Sequence, residues 1–109
     1  MHDRDSTTAW IENCPEGYYK LASVLIDALE QAASGKGQER HSSPGLPFSE
    51  QPMQDLIALY GPGFALGQAA KKAQESRRLP GPQRRDELLG AINYLAGLIV
   101  YEDRNGEAQ

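Results

Sequence analysis

The most chemically loaded stretch of the chain is residues 35–41, Gly-Lys-Gly-Gln-Glu-Arg-His. Glycines on both sides of Lys36 let main-chain N–H groups and the ammonium converge on a phosphate, and Arg40 can add a bidentate contact. Gly37 supplies the backbone freedom and His41 a further hydrogen bond. The pattern is not a P-loop, which needs four residues between its glycines and a hydroxyl after the lysine. Lys36, Gly37, Arg40 and His41 are therefore the first candidates for an anion or nucleotide site. The competing explanation is a solvated polar loop.

A second polar patch follows at Lys71 and Lys72, which helical spacing places within a turn or two of Gln68 and Glu75. Such a patch is commonly a solvated face with Lys–Glu pairs. The alternative is that these lysines line one pocket with the 36–41 loop, where Tyr94 or Tyr101 can stack on a base. Four arginines, Arg77, Arg78, Arg84 and Arg85, bracket the 79–82 turn. They repel one another unless phosphate or an acidic protein surface lies nearby.

Catalytic constellations are not in view. Cys14 is the only cysteine, with no Cys or His at metal-ligand spacing, and His41 has no adjacent Asp. No Ser-His-Asp or Cys-His arrangement can be assembled, and no catalytic residue, metal ligand or cofactor is expected.

The composition sets further bounds. The 109 residues, 39% of them hydrophobic, suit one helical domain over 10–103 between tails at 1–9 and 104–109 that are expected to be disordered. Net charge is −4, yet eight of the eleven basic residues lie between Lys36 and Arg85 with only four acids among them. An acidic chain with a basic middle disfavours duplex nucleic acid and leaves room for a small anionic ligand. No run of eighteen apolar residues is present, so a membrane span is not expected. The acidic, polar N-terminus does not read as a secretory signal, and a cytoplasmic protein is the expectation.

Four elements have to position these groups. Residues 86–103, DELLGAINYLAGLIVYED, form the central helix, with Leu88, Ile92, Leu95 and Ile99 at the 4-3-4 spacing of a core-facing stripe. Gly90, Tyr94, Gly97 and Tyr101 share a second face, where small residues allow close approach. Leu89, Ala96 and Val100 occupy a third, which a chain this short can hardly cover. Residues 18–33 read as the first helix, burying Leu21, Leu25, Ala28, Leu29 and Ala32. Gly and Pro then forbid regular structure in 35–48, a functional loop. A short helix over 50–60, capped by Ser49, turns Met53, Leu56, Ile57 and Tyr60 inward. Residues 64–79 follow with Leu66, Ala69, Ala70 and Ala73 inward, Lys71 and Lys72 outward, and a tight turn that makes the last two helices an antiparallel hairpin. The expected fold is all-α: a small bundle of three main helices plus one short helix, forming a homo-oligomer through or beside the C-terminal helix.

Lys36, Gly37, Glu39, Arg40 and His41, then Phe48 with Gln51-Pro52-Met53, then Lys71-Lys72 with Gln74-Glu75, then 87–97, resemble short proteins of unassigned activity encoded by tailed phages and prophages. The resemblance covers residues 35–101. It implies the cytoplasm of an infected or lysogenic bacterium, where small oligomeric proteins bind host defence components or sequester nucleotide signals. More distantly, AAKKAQE and ELLGAINYLAG resemble the paired helices of MazG-like nucleotide pyrophosphohydrolases, whose carboxylates hold magnesium. Here Glu75 has Lys72 and Arg78 at the ligand spacing, and Glu87 is followed by Gly90 and Ala91, so the metal ligands are missing. The expected function is non-catalytic binding of a phosphate-bearing small molecule. The alternatives are a protein–protein inhibitor of a bacterial defence complex and a degenerate pyrophosphohydrolase.

Overall fold

The computed structural model describes residues 13–34 and 45–106. Within them the regular structure is helical: α1 (Tyr19–Ser34), a 3-10 turn (Phe48–Glu50), α2 (Pro52–Tyr60), α3 (Pro62–Ser76) and α4 (Gly81–Asn105). No helix among the described residues is long and apolar enough to cross a membrane. The expected functional loop lies largely in 35–44, outside the described residues. Trp10 and the tail at 1–9 are outside them too.

Proline and glycine set the boundaries. Pro52, Pro62 and Pro82 each stand in a first helical turn, where a missing N–H costs nothing and φ is already helical. Ser49 does not cap α2. Gln51 holds that position without a side-chain cap bond, and its Nε2 instead donates to Leu46 O at 2.7 Å. One residue, Gly61, separates α2 from α3. Its φ of 81° lets its N–H close α2 on Ile57 O while the chain turns directly into Pro62. Helix α4 begins at Gly81, five residues before the expected start, and runs through Asn105 to a left-handed cap at Gly106. The arginines before Asp86 are sound helix formers, so nothing in 81–85 delays the first turn.

Helices α3 and α4 form the antiparallel hairpin, and α1 and α2 pack on α4 from other sides. The centre is thin. Ile57, Ala65 and Leu98 make the buried cluster, with Met53, Phe64 and Tyr101 half-buried around it. Of the seven buried hydrophobic residues among those described, Ala28, Ala65, Ala69 and Ala91 are alanines, so the helices meet through small residues. Helix α1 buries Ala28 and is joined to α4 by polar contacts: Asn93 Nδ2 donates to Ala28 O (3.0 Å) and to Gln31 Oε1 (3.2 Å), and Arg85 pairs with Asp27 at 2.7 Å. At the other end the Arg104 guanidinium donates to Ser49 O.

The buried faces differ from those expected. On α4 the stripe taken as core-facing lies outward, with Leu95 43% and Ile99 58% exposed and Leu88 also exposed. Leu89, expected to be uncovered, is buried, and Ala96 and Val100 are half-buried. On α1 only Ala28 of the expected stripe is buried; Leu21, Leu25 and Leu29 are exposed. On α2 Ile57 is buried and Met53 half-buried, while Leu56 and Tyr60 face out. On α3 Leu66, Ala70 and Ala73 are exposed, and the inward stripe is Ala65, Ala69, Lys72 and Ser76.

One physical cause accounts for these shifts. The small residues of α4 admit side chains from its neighbours, with the Lys72 stem of α3 lying against Gly90 and Met53 of α2 against Gly97, and such close packing buries those faces. The helices therefore rotate toward their small residues.

Candidate functional site

A cleft of about 820 Å³ opens between α3 and α4, with the end of α1 and the stretch from Phe48 to Leu56 along its other side. Helix α3 contributes Phe64, Gln68, Lys71, Lys72 and Glu75 at helical spacing. Helix α4 contributes Asp86, Glu87, Gly90, Asn93 and Tyr94.

Lys72 is the organising side chain. Its stem lies against Gly90: a Cβ there would meet Lys72 Cδ at 3.0 Å and Cε at 3.2 Å. Its ammonium reaches Glu87 Oε1 at 3.5 Å and stands 5.9 Å from the centroid of the Tyr94 ring. The Lys72 and Glu87 side chains are both about three-quarters removed from solvent. Phe64 meets Tyr94 edge to face, with ring centroids 6.0 Å apart at 74°. Gly90 thus has a local purpose in letting a long cationic side chain cross α4 and end between a carboxylate and an aromatic face.

Electrostatically the cleft is mixed, with two ammoniums (Lys71, Lys72) and three carboxylates (Glu75, Asp86, Glu87). The carboxylates share the cleft without converging. Among the described residues no three His, Cys, Asp or Glu come together in a way that could hold a metal ion.

The sequence candidates are placed as follows. Lys36, Gly37, Arg40 and His41 lie outside the described residues. Lys71, Lys72 and Tyr94 line the one cleft, although Lys72 was expected to face solvent. Tyr101 does not line it. It packs on the Ile57–Ala65–Leu98 cluster, two turns further along α4, and serves the core. The arginines around the 79–82 turn are partly accounted for within the chain: Arg77 Nε donates to Ser76 Oγ, Arg84 Nη2 to Leu79 O, and Arg85 Nη2 to Asp27.

Sequence reasoning weighed Glu87 only as a metal ligand and overlooked Phe64. The usable signal was the hairpin register, because the Lys72–Glu87 and Phe64–Tyr94 pairs are both centred on Leu79-Pro80. Counting outward from that turn puts each partner opposite the other. The chain matches no protein-family model, no curated protein and no solved structure.

Proposed function

We propose that the cleft binds, without chemical change, a small organic phosphate that also carries hydrogen-bond donors, a nucleotide or cyclic nucleotide being the best fit. The observation that carries this proposal is the Lys72 ammonium poised between Glu87 and the face of Tyr94. Lys72 and the exposed Lys71 offer charge to a phosphate, and a charge-assisted contact is the strong kind of hydrogen bond. The Phe64–Tyr94 wall offers apolar area to a base. Glu75, Asp86 and Glu87 oppose a bare polyanion, yet they accept hydrogen bonds from ribose hydroxyls or a base amino group. The mixed charge therefore selects a ligand with both characters. A cleft of this size lies within the range of small-molecule sites. In the phage setting implied by the sequence resemblance, such binding withdraws a nucleotide signal from host defence.

Calorimetry against nucleoside monophosphates, cyclic nucleotides, free nucleosides and inorganic phosphate tests the proposal. A nucleotide is expected to bind better than either of its halves. Lys72→Ala is expected to weaken it about 10- to 100-fold, the value of one charged hydrogen bond, and the ligand should be recovered intact by chromatography. Absence of heat from every nucleotide, or an unchanged affinity in Lys72→Ala, would remove the proposal.

A further inference from the structure

The apolar face of α4 that the described residues leave exposed has an internal order. Leu88, Ile92, Leu95 and Ile99 follow one another at spacings of four, three and four, and the next positions of the same stripe are Arg85 at one end and Glu102 at the other. The apolar part of the stripe is a palindrome, and its charged ends are opposite in sign. Around a centre between Asn93 and Tyr94, Leu88 is the counterpart of Ile99, Ile92 of Leu95 and Arg85 of Glu102. The neighbouring pair Arg84 and Asp103 obeys the same symmetry.

We propose that a second copy of this chain docks antiparallel along α4 about that centre. A two-fold axis makes every contact occur twice, so a stripe with matching apolar halves and opposite charges at its two ends is self-complementary. Each copy then sets Leu88 against Ile99 of the other and Ile92 against Leu95. Arg84 and Arg85 meet Asp103 and Glu102. A parallel pairing would place arginine on arginine and carboxylate on carboxylate, and like charges across an interface oppose association. The charge order thus selects both the partner and the direction.

The surroundings suit such a partner. Leu88, Leu95 and Ile99 are all more than a third exposed, and the stripe continues through Ile92 into an apolar groove of about 390 Å³ walled by Leu25 and Leu29 of α1. Arg85 already binds Asp27 through Nη2 and retains its other N–H donors for the partner's Glu102. The docking face is separate from the cleft, since Gly90 and Tyr94 lie on another side of α4 against α3. Loss of one property leaves the other measurable.

Sedimentation of the full chain, with cysteine cross-linking, provides the test. The expected mass is twice the 11.9 kDa of one chain. Leu95→Arg, a change at an exposed position, is expected to give single chains with unchanged helical circular dichroism. Asp103→Arg is expected to raise the dimer dissociation constant about 10-fold, two exposed ion pairs becoming two repulsions. Adding Arg84→Asp to the same chain should restore it, with the Arg85–Asp27 pair left intact. In a Cys14→Ser background, Leu88→Cys and Ile99→Cys should form a disulfide when mixed and not when either is alone. Single chains persisting at about 100 μM, an association too weak to matter, would overturn the proposal. So would covalent dimers of Leu88→Cys alone, which signify a parallel pair, or a Leu95→Arg chain that still dimerises.

Discussion

Replacing Ile57 by Ala is expected to remove about 3 kcal/mol of stability, within the range for deleting a buried aliphatic side chain together with the cavity it leaves. Ile57 is 1% exposed, and it and Ser76 are the largest fully buried side chains. Its neighbours give the reason. Ala65 and Leu98 are held on α3 and α4, and small residues there cannot swing in to fill the space. A chain of this size has a total stability of roughly 5–15 kcal/mol, so one side chain supports a large share of it. Denaturant unfolding should show a lower midpoint with an unchanged slope. Leu59→Ala, on the same helix but solvent-exposed, is the control and should change stability by under about 0.5 kcal/mol. Equal losses from the two substitutions would show that Ile57 is not at the centre of the core. Phe64 touches both the Ile57 cluster and Tyr94, so Ile57→Ala should also loosen the aromatic wall of the cleft.

The two buried glycines of α4 should respond in opposite ways. A Cβ on Gly97 would sit 2.2 Å from Met53 Sδ, with Met53 Cε and Cγ at 3.5 and 3.6 Å. Met53 is wedged between α2 and α4, and the neighbouring contact, Gln54 Nε2 donating to Gly97 O at 2.9 Å, leaves α2 little room to retreat. Gln54 is itself buried, and its Oε1 has no hydrogen-bond partner among the described residues, so shifting α2 also risks the bond that its Nε2 makes. Gly97→Ala is therefore expected to cost about 1–3 kcal/mol through overpacking, despite a helix-propensity gain of roughly 1 kcal/mol. Met53→Ala added to Gly97→Ala should recover part of that loss, and the double-mutant cycle should show a coupling of at least about 1 kcal/mol. At Gly90 the obstacle is the Lys72 stem, a flexible chain that can move aside. Gly90→Ala should leave stability level or raise it by up to about 1 kcal/mol, while displacing the Lys72 ammonium from Tyr94 and weakening the cleft's ligand. If Gly97→Ala proves as stable as Gly90→Ala, the close approach of Met53 to α4 is wrong.

These residues also mark how far the amino-acid order alone carries. Helix existence was legible throughout, because proline in first turns, glycine at Gly61 and Gly106, and unbroken runs of good helix formers are local signals that each segment obeys regardless of its neighbours. The hairpin of α3 and α4 was legible for the same reason, since a turn as short as 79–82 leaves the two helices no other arrangement. Chemical type was enough to raise Lys71, Lys72 and Tyr94 as lining one pocket, but not to place the Lys72 ammonium at Glu87 and the Tyr94 ring. Lys72 reaches Glu87 and Tyr94 only because α3 turns its Ala65–Ala69–Lys72–Ser76 stripe inward.

That rotation was decided by tertiary packing. Helix α4 is apolar around most of its circumference, so its hydrophobic pattern favours no single inward direction and the Leu88–Ile99 stripe was a reasonable but mistaken choice of core. Burial instead followed Gly90, Ala91 and Gly97, where absent or short side chains let α2 and α3 come close. Local order names which segments are helices, and the depth to which neighbouring backbones can approach chooses the face each one hides.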